Sequence, residues 1–134
     1  MTKEFLNKEL ITAIETNDLE KIKSLVKFGV DIHALDELDS NVLHYCASYG
    51  QLELAKYFVT LKVDAKALNA FDSNVLHTCA RCGHIELAEY FVSLCIDVLT
   101  LDGYGNNVLH ICTKYGYTKL AKYFKDLGVE EKRR

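Results

Sequence analysis

Asn74-Val75-Leu76-His77-Thr78-Cys79-Ala80-Arg81-Cys82-Gly83 is the stretch that decides the fold, because its framework occurs three times at a fixed interval. Asn41-Val42-Leu43-His44 precedes it by 33 residues and Asn107-Val108-Leu109-His110 follows it by 33. Cys46, Cys79 and Cys112, and then Gly50, Gly83 and Gly116, keep the same register. Beyond each glycine comes a second apolar burst: Leu54-Ala55, Leu87-Ala88 and Leu120-Ala121, then Tyr57-Phe58, Tyr90-Phe91 and Tyr123-Phe124. A period of this length marks a stacked array, in which one unit cannot bury its own apolar face and must pack on its neighbours.

The local chemistry of each unit predicts two helices. Asn41 is a strong N-cap, since its side-chain oxygen can accept from the free amides of the first turn. The helix that follows runs to about Tyr49 and stops at Gly50, a residue that adopts the left-handed conformation of helix ends without steric cost. A second helix begins near Leu52 and presents Leu54, Ala55, Phe58, Val59 and Leu61 to both neighbours. The small Ala55, Ala88 and Ala121 allow close approach of helices. Residues 64–73 are short and turn-like, so strand content should be slight. The fold class is all-α.

Composition agrees. The chain has 134 residues, 49% hydrophobic and 26% charged, enough for one domain or a short array with a buried core, and unlike a disordered chain. No apolar run approaches the ~18 residues of a membrane span. The start, Met1-Thr2-Lys3-Glu4-Phe5, lacks the basic and apolar regions of a secretory leader. Five cysteines without a small secreted framework read as free thiols in a reducing compartment, which predicts a cytoplasmic protein with nuclear entry left open. Lys132-Arg133-Arg134 is too short to be read as a nuclear signal. Net charge is −3 over residues 1–38, −4 over 39–104 and +4 over 105–134. The basic end reads as a solvated cap, and the acidic remainder lacks the phosphate-neutralising stripe that nucleic-acid binding requires.

The residues with chemical potential point mostly to structure. His44/Cys46, His77/Cys79 and His110/Cys112 invite a zinc or thiol reading. However, residues two apart on a helix face different ways and equivalent positions on stacked helices lie ~8–10 Å apart. Zinc needs its ligands within ~2.0–2.3 Å of one centre. The three histidines are therefore expected to be buried, neutral and hydrogen-bonded, with the cysteines as small core residues. Cys79-Ala80-Arg81-Cys82 remains a distant thiol or zinc alternative, without a second such pair or a redox-type βαβ context. Phosphate-loop, nucleophile-elbow, dinucleotide and zinc-protease motifs are absent, so no catalytic residue, metal ligand or cofactor is expected. Asp31, Asp64 and Asp97 read as turn caps.

A 33-residue period with Leu-His opening the first helix and Gly six residues after the His resembles the ankyrin repeat, whose signature is T-P-L-H-x-A. The resemblance covers nearly the whole of residues 1–134 as one domain of four units: a degenerate first unit at 6–38, then 39–71, 72–104 and a shortened 105–134. In the first, Leu10-Ile11 replaces Leu-His and Asn17 replaces the glycine. Where the family has Thr-Pro, this chain has Asn-Val at Asn41, Asn74 and Asn107, which removes the family's threonine hydroxyl beside the motif histidine.

The resemblance implies a solenoid whose units are linked by hairpin-like fingers, acting as a non-enzymatic module that binds, inhibits or scaffolds a protein partner. Family members bind through finger tips and the inner face of the first helices. By register these positions are Leu38, Phe71 and Tyr104 on the tips and Tyr45, Tyr49, Arg81, Lys114 and Tyr115 on the helices, expected to form one continuous concave patch. The motif residues Asn41, Leu43, His44, Asn74, Leu76, His77, Asn107, Leu109 and His110 are assigned to structure. Leu35, Leu68 and Leu101 are identical from unit to unit and are expected to pack. Asp31-Ile32-His33-Ala34 resembles a site at which family members are hydroxylated on Asn, with His in that place; a plain turn is the preferred reading. The implied partner is a protein, with no nucleic acid and no membrane, and the chain a monomer. A regulatory subunit, or a pathogen or viral effector acting on a host protein, is the alternative.

Overall fold

Asn41, Asn74 and Asn107 each lie in extended backbone and open a helix, as their side chains dictate. Asn41 Oδ1 accepts from the amides of Leu43 at 2.9 Å and His44 at 3.2 Å. Its other end is also used: Nδ2 donates to the carbonyl of Asp64 at 2.9 Å. Asn74 Nδ2 and Asn107 Nδ2 do the same to Asp97 at 3.2 Å and Glu130 at 2.6 Å. One side chain thus starts the first helix of a pair and fastens it to the turn that follows the second. Gly50 and Gly83 end their helices at φ +73° and +81°, in the left-handed region that favours glycine.

The structure, a computed structural model, describes residues 2–131. Lys132, Arg133 and Arg134, weighed above as a nuclear signal, lie outside the described residues. Among the described residues eight helices follow one another in four packed pairs: α1 (Lys3–Glu15) with α2 (Leu19–Lys27), α3 (Val42–Tyr49) with α4 (Leu52–Thr60), α5 (Val75–Cys82) with α6 (Ile85–Ser93), and α7 (Val108–Lys114) with α8 (Thr118–Asp126). Among the described residues there is no strand and no helix long and apolar enough to cross a membrane.

Apart from α1, every helix has nine residues or fewer, too short to be stable alone in water. Packing holds them. Helix α3 lies between α1 and α5, α5 lies between α3 and α7, and α4 packs on α6. Phe58, Phe91 and Phe124 are wholly buried, as are Leu43 and Leu76. No buried side-chain nitrogen or oxygen among the described residues lacks a hydrogen-bond partner.

The fingers between pairs are closed by one device used three times. Oδ1 of Asp36, Asn69 and Asp102 accepts backbone amides two and four residues ahead, those of Leu38 and Ser40, Phe71 and Ser73, and Tyr104 and Asn106. Neighbouring fingers join through the backbone, Ala70 N–H donating to Leu38 O at 2.8 Å and Gly103 N–H to Phe71 O at 2.7 Å.

Helix α1 begins at Lys3 because Thr2 caps it by accepting from the Phe5 amide at 3.1 Å. Two expectations need correction. Leu35 and Leu68 are exposed rather than packed, since the fingers meet through backbone groups and leave these side chains uncovered. His110 is only partly buried, unlike His44 and His77, because no further finger follows it among the described residues.

Candidate functional site: the groove between fingers and first helices

The groove is built on the histidines of the repeated motif. The backbone amides of Asn41 and Asn74 donate to Nδ1 of His44 at 3.1 Å and of His77 at 3.0 Å. An accepting Nδ1 places the proton on Nε2, which faces the carbonyls of Ser73 at 3.4 Å and Thr100 at 3.0 Å. Asparagine and histidine therefore cap each other, and the family's missing threonine hydroxyl is replaced by this reciprocal pair. Burial lowers the pKa of both imidazoles, against the carbonyls and nearby carboxylates; the Arg81 guanidinium lowers both further. His110 differs: its Nδ1 lies 3.4 Å from the Glu131 carboxylate.

Above these residues runs an open cavity of about 520 Å³. Leu38, Phe71 and Tyr104 line it from the finger side, and Arg81, Lys114 and Tyr115 from α5, α7 and the end of α7. The three tip side chains retain 49%, 42% and 72% of their exposure, so adjacent fingers do not cover them. A second cavity of about 240 Å³ shares Leu38 and Arg81 and reaches Tyr45. Six of the eight residues expected from register thus meet in the first cavity, and a seventh lines the adjoining one.

Tyr49 lines neither of these cavities; its hydroxyl donates to Glu15 Oε2 at 3.0 Å. Tyr45 is also engaged, donating to Asp36 Oδ2 at 2.6 Å. Burial and that bond push the Tyr45 phenol up to about 12. For Asp36 burial acts upward, but the Tyr45 hydroxyl and the amides of Ser40 and Leu38 outweigh it and hold the carboxyl below its usual range. These two residues brace the finger against α3. Lys114 Nζ sits 5.8 Å from the Tyr115 ring centroid, within cation–π range.

The two thiols of Cys79 and Cys82 lie in different surroundings. Cys79 is buried and its pKa is driven up by desolvation, the reverse of what a nucleophile needs. Cys82 is partly exposed, both are free, and the described residues contain no group of three or more His, Cys, Asp or Glu able to hold a metal ion.

Two sets of residues were missed at the sequence level. Asn69 and Asp102 shape the finger tips and line the cavity, and their signal was the recurrence of Asp or Asn at 36, 69 and 102. The residue after each helix-ending position, Gln51, His84 and Tyr117, reaches back to the preceding pair. Gln51 Nε2 donates to Ile14 O at 3.0 Å and His84 Nε2 to Ser48 O at 3.2 Å. The Tyr117 ring lies so close over Gly83 that a Cβ there would fall 2.6 Å from it.

A family model described as ankyrin repeats (3 copies) matches residues 10–98 and 43–134. A protein of Fowlpox virus (strain NVSL) bearing the name ankyrin repeat protein FPV024 is 39% identical over 49 residues. That match covers 36% of this chain and only 8% of the viral protein.

Proposed function

The chain belongs to the ankyrin-repeat family, and on that premise we propose that it is a non-enzymatic protein–protein interaction module that takes its partner in the groove between fingers and first helices. One observation carries this reading. Leu38, Phe71, Tyr104 and Tyr115 stay exposed and gather around a single cavity, whereas the other exposed large hydrophobics, among them Phe28, Leu35, Leu68 and Leu99, lie outside it. Aromatic and arginine side chains are the usual energetic anchors of protein interfaces, and Phe71, Tyr104, Tyr115 and Arg81 supply them here. The bracing of Tyr45 by Asp36 supports the same reading, since a finger fixed in advance loses less conformational freedom on binding.

The test is Phe71→Ser combined with Tyr104→Ser. Proximity labelling in cells followed by mass spectrometry should show loss of the proteins captured by the unaltered chain, with helical content and unfolding midpoint unchanged. A folded double variant that captures the same set would place the interface elsewhere, and one that unfolds would show the rings to be structural.

A further inference from the structure

Arg81 and Lys114 hold the same register position on α5 and α7, two helices packed side by side; the equivalent residue on α3 is Ser48. Both are exposed, both line the 520 Å³ cavity, and among the described residues neither forms an ion pair. In a chain of net charge −3 this is a local pair of uncompensated cations. The carboxylate lining the same cavity, Asp102, belongs to the finger side, where Oδ1 accepts from the amides of Tyr104 and Asn106. The 520 Å³ cavity is therefore positive along its helical side and apolar with Asp102 along its finger side, while Asp36, held by the Tyr45 hydroxyl, lines the adjoining cavity that Arg81 shares.

Packed helices lie about 8–10 Å apart, which sets the scale of separation of the two cations, and long flexible side chains adjust it. An extended polypeptide rises about 3.3 Å per residue and points residues i and i+2 to one side and i+1 to the other. Acidic side chains at i and i+2 would face Arg81 and Lys114, and the side chain between them would face Phe71 and Tyr104. Asp102 disfavours a further acid in that middle place, so an apolar residue fits it. We propose that the groove receives an extended acid–apolar–acid segment of a partner protein, with its carboxylates on Arg81 and Lys114 and its apolar side chain between Phe71 and Tyr104. This inference rests on the interaction-module reading and names the chemistry of its ligand.

The full chain, labelled with nitrogen-15, is titrated with the blocked peptide Gly-Glu-Leu-Glu-Gly and separately with Gly-Gln-Leu-Gln-Gly, following amide shifts. Saturable shifts at Phe71, Arg81, Tyr104 and Lys114 are expected with the first peptide, and at least about tenfold weaker binding with the second. In Arg81→Glu combined with Lys114→Glu the preference should move to Gly-Lys-Leu-Lys-Gly. Equal shifts from the glutamate and glutamine peptides, shifts confined to another surface, or no shifts overturn the proposal. So does a short oligothymidylate that moves the same amides at lower concentration than the glutamate peptide, which would identify a phosphate ligand. If the charge-reversed chain does not fold, the two peptides on the unaltered chain decide alone. Loss of cellular capture by Phe71→Ser with Tyr104→Ser, together with failure of the glutamate peptide, would leave the groove as the interface and remove only its acidic ligand.

Discussion

The third and fourth helix pairs carry almost the same motif and live in different surroundings. His77 is 1% exposed, accepts the Asn74 amide and donates to Thr100; His110, its equivalent, is partly exposed and faces Glu131. Gly83 lies under the ring of Tyr117, whereas a Cβ at Gly116 would meet nothing within 4 Å. Asn74 caps two amides of its helix and Asn107 caps that of His110. What differs is the neighbour on one side. In a stacked array a residue's environment is set by the next unit as much as by its own, so identical residues differ in energy according to place.

The largest effect that would test this difference is a core truncation. Leu76→Ala in α5, packed between α3 and α7, should cost about 2–5 kcal/mol in urea unfolding. Leu109→Ala in α7, which among the described residues packs on α5 and α8 with no further first helix beyond it, should fall at the lower end of that range, and a greater loss there would break the comparison. The glycines come next. Gly116→Ala should cost about 1–2 kcal/mol, because the left-handed backbone at φ +80° penalises any Cβ. Gly83→Ala has the same backbone demand and must also displace the Tyr117 ring, so it should lower the unfolding midpoint further.

A smaller effect follows from pH. Burial sets the folded pKa of His44 and His77 below the ~6.5 of the unfolded chain. Between the folded and unfolded values the unfolded state binds more protons, so their contribution is complete above pH 6.5 and is lost as pH falls through the folded pKa. The urea midpoint should drop from pH 7.5 to 5.5, and NMR titration should place both imidazoles below 6.5. Titration of either at or above that value would contradict its burial. Smallest of all is Phe71→Ser with Tyr104→Ser, expected within about 0.5 kcal/mol of the unaltered chain because both rings are exposed.

The periodic features were legible in the sequence because they are local and repeated. Asn41, Asn74 and Asn107 announced helix starts, Gly50 and Gly83 announced helix ends, and the alternation of apolar bursts gave two helices per unit. Register also brought Leu38, Phe71, Tyr104, Arg81, Lys114 and Tyr115 around one cavity. Contacts between units were harder to read. Tyr49 and Tyr45 looked equally available by position, yet one is drawn to Glu15 on α1 and the other to Asp36 on its finger. Leu35 and Leu68 looked structural because they repeat, but repetition shows only that the backbone places them alike, not that something covers them. The asymmetry of His110 depends on what comes after it, which no repeated motif encodes.

The Asn–carbonyl bond that spans 23 residues within a pair, from Asn41 to Asp64, Asn74 to Asp97 and Asn107 to Glu130, has a consequence for the history and engineering of the chain. Because it closes the second, third and fourth pairs each on itself, a duplicated 33-residue block carries this fastening with it. The reach-back side chain at Gln51, His84 or Tyr117 travels with the block and settles on whichever pair lies before it. Such a chain can lengthen or shorten by whole 33-residue cassettes, each keeping its tie within itself.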